Sequence, residues 1–171
     1  DNINKAYNLI STSKVRNEMI ADDVITCVAR KQTPVILTRF KEHAKFLHDA
    51  LKEKADHVFL LYGDNSDKEN AEIRVKLKQI PENESLILVA TGQKIGEGFD
   101  FPRLDVLMLA APVSFEGRLE QYVGRLNRDY VGKEAVYVYD YIDSHVRYFD
   151  KMYAKRLRTY RKMGFSIWTQ E

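Results

Sequence analysis

Short apolar runs rich in β-branched residues alternate along this chain with stretches whose apolar positions recur every three or four residues. A nearly continuous apolar run suits a strand covered on both faces, and the longer spacing suits an amphipathic helix. Strands are therefore expected over 35–38, 58–62, 86–90, 106–110 and 136–141, with helices between them. The span 15–29 places apolar residues at Val15, Met19, Val24 and Val28, and 41–51 places them at Ala44, Leu47 and Leu51. A third helix, 67–80, offers Ile73, Leu77 and Ile80 before Pro81 halts it. Helices over 115–128 and 145–163 complete the series, the last turning Val146, Phe149, Tyr153, Leu157 and Tyr160 inward. This rhythm predicts repeated βα units, an α/β fold with a mostly parallel sheet and helices on both faces.

The 171 residues suit one domain, and no internal repeat or Pro/Gly/Ser linker divides them. Residues 1–10 are mostly polar and are expected to fray as a connector, so the chain reads as part of a longer protein. No apolar run is long enough to span a bilayer, and the start does not read as a signal peptide. The lone Cys27 closes no disulfide within the chain, in keeping with a reducing compartment, and a cytoplasmic protein without a membrane partner is expected. The four histidines show no metal-ligand spacing, so no metal site is expected on this chain.

Charge alters this ordinary picture at one end. The whole chain carries +2. Its segment 145–164 has Arg147, Lys151, Lys155, Arg156, Arg158, Arg161 and Lys162 against Asp150 alone, so +6 stands there and −4 elsewhere. Positive charge gathered on a terminal helix suits an anionic partner, nucleic acid above all, with Arg158 and Arg161 as candidate contacts; a solvated basic face is the plainer reading.

In parallel α/β sheets, ligands sit beyond the carboxyl ends of the strands. Thr38 and Arg39 follow the first predicted strand, Gly63 and Asp64 the second, Thr91 and Gly92 the third, and Asp143 the last. The loop after the third strand contains Gly92, Gly96 and Gly98 before Asp100 and Pro102, so its backbone can approach a ligand closely. Further on, Arg125 and Arg128 stand three residues apart, on one face of a helix, a pair suited to charge on a phosphoryl group in transfer. Taken singly, these arginines also suit carboxylate partners, Thr91 suits a helix cap, and Asp100 suits a brace for the turn before Pro102. The chain has no G-x-x-x-x-G-K-[ST] loop to cradle a nucleoside triphosphate.

Taken in order, these pieces resemble the second RecA-like domain of superfamily 2 helicases and translocases, a three-layer α/β domain. The strand ending in Thr38-Arg39 is similar to that family's motif IV, Thr91 through Pro102 to motif V, and Gln121-x-x-Gly124-Arg125-x-x-Arg128 to motif VI. The resemblance covers about 15–141 and leaves out the basic terminal helix. It implies that Arg125 and Arg128 meet the γ-phosphate of ATP, with Arg128 the finger, and that Gln121 couples the nucleotide to the domain interface. It implies further that Gly98 and Asp100 approach the nucleotide, and that Thr38, Arg39 and Thr91 contact a bound strand's backbone without reading bases. ATP and Mg²⁺ would then be held mainly by a preceding RecA-like domain, and this chain alone would be inactive.

DEAD-box members typically have His where Gln121 stands and Arg-Gly-x-Asp where Glu97-Gly98-Phe99-Asp100 stand, so the chain resembles more the restriction-enzyme and DNA-repair branch, with DNA favoured over RNA. Two other readings are a non-catalytic nucleic-acid-binding RecA-like module and a Rossmann-like cofactor enzyme. The second lacks the G-x-G-x-x-G fingerprint, since Phe101 stands where its last glycine should be.

Overall fold

The computed structural model describes residues 2–92, 100–113, 116–127, 130 and 132–169, with the side chains of 116–119 and 125 excepted. Its described strands are β1 (Pro34–Thr38), β2 (His57–Leu61), β3 (Leu86–Thr91), β4 (Val106–Leu109) and β5 (Tyr137–Asp140). They form one five-stranded sheet in the order β2-β3-β1-β4-β5, and every pair is parallel. The helices are α1 (Asn2–Ser11), α2 (Lys14–Ala29), α3 (Lys41–Leu51), α4 (Asp67–Gln79), α5 (Glu116–Leu126) and α6 (Arg147–Lys162).

Strand alternation divides the interior into two layers. Val35, Leu37, Leu86, Leu88, Leu107 and Leu109 face a cluster closed by Leu77 of α4, Val123 and Leu126 of α5 and Tyr160 of α6. Ile36, Ile87, Val89, Val106 and Met108 face the opposite cluster, closed by Ile20, Val24 and Cys27 of α2 and Ala44, Leu47 and Leu51 of α3. The sheet is therefore sandwiched, and each fully buried Leu or Ile contributes about 1.5–3 kcal/mol. The central strands β1, β3 and β4 are buried throughout, whereas the edge strands β2 and β5 are mostly half-buried, having a neighbour on one side only.

Three expectations are corrected here. The segment before Ile10, expected as a connector, is helical and packed: Tyr7 and Ile10 of α1 are buried, and with Ile3 and Ala6 they pack against Ala111, Phe149 and Met152. In α2 the buried face is Arg16, Asn17, Ile20, Val24 and Cys27, while Val15 and Met19 are exposed. Arg16 can be buried because its Nε and Nη2 donate to the two carboxylate oxygens of Asp143, at 2.8 and 2.9 Å, and Nη1 donates to the Ala110 carbonyl. In α6 the buried residues are Phe149, Met152, Arg156, Thr159 and Tyr160, and Tyr153 and Leu157 are only half-buried. Arg156, counted above as part of a basic face, instead grips Asp140 through two hydrogen bonds of 2.7 and 2.8 Å and donates to the Val113 carbonyl.

Helix ends follow local chemistry. Ser66 and Glu69 form a reciprocal capping box at the start of α4. Gly164, at φ +86°, ends α6 in a left-handed turn in which the Phe165 amide donates to the Tyr160 carbonyl at 3.0 Å. The Phe165 ring then packs edge-on to Tyr160.

Candidate functional site

All strands run parallel, so their carboxyl ends meet at one edge, where the segments with candidate chemistry gather. Thr38 and Thr91 are register partners across β1 and β3. The first two of the three candidate segments thus start side by side. From α5 the Tyr122 hydroxyl donates to the Gly92 carbonyl at 3.1 Å, which ties the third segment to the second. A side chain at Gly92 would bring its Cβ to 2.6 Å from that hydroxyl, so glycine is needed for close approach. Lys133 makes a second tie. Its ammonium donates to the Pro102 carbonyl at 2.9 Å and to the Leu126 carbonyl at the end of α5, where a cation suits the helix dipole. The second segment is thereby tied to α5 at Gly92 and, through Lys133, at Pro102.

Thr38 is buried, and its hydroxyl lies 2.5 Å from His43 Nδ1. The Asn17 amide nitrogen donates to the Ser11 carbonyl at 2.9 Å, which turns Asn17 Oδ1 toward His43 Nε2 at 2.8 Å. His43 Nε2–H is therefore the donor to Asn17, Nδ1 is bare, and the Thr38 hydroxyl donates to it. Burial, aided by the Arg16 charge, lowers the pKa of His43 from 6.5 to about 4 and keeps the imidazole neutral. The hydroxyl hydrogen of Thr38 is thus committed within the protein. Arg39, one residue on, turns outward and is exposed, with its guanidinium 4.3 Å from the centre of the Tyr7 ring.

Of the other expected site residues, Thr91 ends β3 and is buried, while Asp100 and Gln121 are exposed. Arg125 belongs to α5, but its side chain lies outside the described residues, as do Gly98 and Arg128 altogether. Arg158 and Arg161 are exposed on α6, well apart in sequence from the strand ends. Asp143, the polar residue after the last strand, is the buried partner of Arg16. Sequence reasoning missed Tyr122, Lys133, His43 and Tyr7, whose importance rests on contacts with residues far along the chain.

The described groups at this edge are the hydroxyls of Thr38 and Thr91, the Arg39 guanidinium and the backbone of Gly92 and Pro102, held through its carbonyls. That set suits the anionic phosphates of a nucleotide or a nucleic-acid backbone. Among the described residues no three His, Cys, Asp or Glu side chains stand together as a metal site.

Five parallel strands covered on both faces, with the three segments joined at the carboxyl edge, define a RecA-like α/β domain. Residues 16–129 match the helicase conserved C-terminal domain, and the chain belongs to that family. It is 32% identical over 120 residues to the transcript termination protein A18 of Yaba-like disease virus, a match covering 69% of this chain and 24% of that protein. It is also 33% identical over 118 residues to putative helicase 161L of invertebrate iridescent virus 6, covering 68% and 22%. The chain spans about a quarter of the length of these relatives. The solved structure of T4 UvsW shares its fold, with a TM-score of 0.75 over 95% of this chain and 35% of that one at 23% identity.

Proposed function

We propose that this domain is the second motor domain of an ATP-dependent superfamily 2 helicase or translocase, acting on DNA in preference to RNA. The observation that supports this reading most is the joining of the three segments: Thr38 beside Thr91, and Gly92 bonded to Tyr122 of the helix that carries Arg125. ATP with Mg²⁺, held mainly by a preceding RecA-like domain, would supply the phosphoryl bond that is broken. Arg125 and Arg128 would neutralise charge on that phosphate, Arg128 as the finger, a role worth several powers of ten in rate when the site is closed and dry. Gln121, exposed on α5, would link that helix to the facing domain, and Gly98 and Asp100 would approach the nucleotide. Thr38, Arg39 and Thr91 would line the path of the strand backbone, with Arg158 and Arg161 adding charge outside it, so binding would be independent of sequence and sensitive to salt.

Because Gly92 and Pro102 are both fastened to α5, any closure that moves the arginine helix would carry the strand-binding loop with it. That linkage is how a change at the phosphate would reach the nucleic acid. The preference for DNA rests on Gln121 and on Glu97 to Asp100, which depart from the DEAD-box pattern. The purified chain alone is expected to hydrolyse no ATP above background, and measurable turnover would defeat the half-motor reading.

A further inference from the structure

Helix α1 contributes one buried aromatic ring to the same edge. Tyr7 is 2% exposed, its hydroxyl donates to the Pro112 carbonyl at 3.0 Å, and its ring meets the edges of Phe149 at 4.8 Å and Phe40 at 6.1 Å between centroids. The ring is thus held from the segment after β4, from α6 and from the segment after β1, and the guanidinium carbon of Arg39 lies over it, 4.3 Å from its centre. Burial raises the pKa of the Tyr7 hydroxyl, with the charge and hydrogen bonding of Arg39 pulling it back, so the phenol stays neutral at any working pH. Arg39 is exposed, and among the described residues it forms no ion pair.

A guanidinium held over the negative face of an aromatic ring still has N–H groups to offer an anion, since it carries five, and a side chain already held loses less freedom on binding. An arginine kept just past a strand end, resting over a ring rather than paired with a carboxylate, is arranged for an incoming negative group. We infer that Tyr7 is a positioning residue for Arg39: α1 holds this guanidinium at the carboxyl edge of β1 so that it docks a phosphate of the bound strand. The inference rests on the reading of Arg39 as a strand contact, and it gives α1 a part in nucleic-acid binding that its mostly polar sequence conceals.

The test is the affinity of the purified chain for a fluorescein-labelled single-stranded oligo(dT), measured over a range of salt concentrations. Arg39→Ala should weaken binding about tenfold, as expected when one charged hydrogen bond to phosphate is removed, and reduce the salt slope by about 0.7. Tyr7→Phe, which keeps the ring and loses only the phenol oxygen that Arg39 also meets, should weaken binding far less than removal of the ring. Tyr7→Leu should weaken binding about as much as Arg39→Ala, and the double variant should be no worse than either. If Arg39→Ala binds normally, the assignment of Arg39 as a strand contact fails, and the inference with it. If Arg39→Ala weakens binding but Tyr7→Leu does not, or the two losses multiply, the positioning role alone is overturned. Should Tyr7→Leu fail to fold, the unaltered chain decides: nuclear relaxation of the Arg39 Nε–H must show a restrained side chain, and one as mobile as other exposed arginines overturns the inference.

Discussion

Replacing Gly92 by alanine should damage the link between the glycine-rich loop and α5 in a way that a second change repairs. The new Cβ would lie 2.6 Å from the Tyr122 hydroxyl but 3.5 Å from the ring carbon that bears it. Only the oxygen clashes. Tyr122 is buried at 4% exposure, so it cannot swing freely aside, and its displacement would break its own 3.1 Å bond to the Gly92 carbonyl. Overpacking of this kind costs about 1–3 kcal/mol. Tyr122→Phe removes the hydroxyl and should cost about 1 kcal/mol for the missing hydrogen bond. In the Tyr122→Phe background, Gly92→Ala meets only ordinary van der Waals contact and should cost little more. Urea denaturation of the four proteins gives the cycle. The double variant should be more stable than the sum of the single losses implies, by about 1 kcal/mol or more. Losses that add to within about 0.5 kcal/mol would refute the steric link between Gly92 and Tyr122.

Titration and charge reversal probe two other parts of the molecule. Folded His43 titrates near 4 against 6.5 when unfolded, so the unfolded chain binds more protons between those values and stability falls as pH drops through that window. The difference is worth roughly 3 kcal/mol for this group, and His43→Gln should flatten urea stability between pH 6.5 and 4; an unchanged slope would contradict a neutral buried imidazole. Reversing charge at Arg158 and Arg161 together should weaken nucleic-acid binding and lower its salt slope by roughly 0.7 for each phosphate no longer neutralised, whereas an identical slope would leave that face of α6 merely solvated.

Much of the fold was legible because a strand buried on both faces leaves few polar positions. The five apolar runs coincide closely with β1 to β5, and Pro81 lies just past the end of α4. Helix faces were misread where a charged residue is buried. Periodicity turns Arg16 and Arg156 outward, and only their bidentate partners Asp143 and Asp140, 127 and 16 residues away, explain why both point in. Helix α1 was missed for a related reason: its apolar positions are few, and they matter because Phe149 and Ala111 from distant elements cover them. In the site, the order of the segments carried the inference. The ties between them did not show, since a tyrosine bonded to a carbonyl 30 residues away, or a lysine to one 31 residues away, leaves no local pattern.

At the centre of the proposed motor role, Arg128 acts as a finger on a nucleotide held by another domain. Turnover and ATP affinity of the full-length protein, measured with and without Arg128→Ala, decide the matter. Hydrolysis should fall at least about a hundredfold while ATP still binds, because a finger acts on the transition state and not on the ground state. Unchanged turnover in that variant would assign Arg128 to structure and contradict its role as the finger.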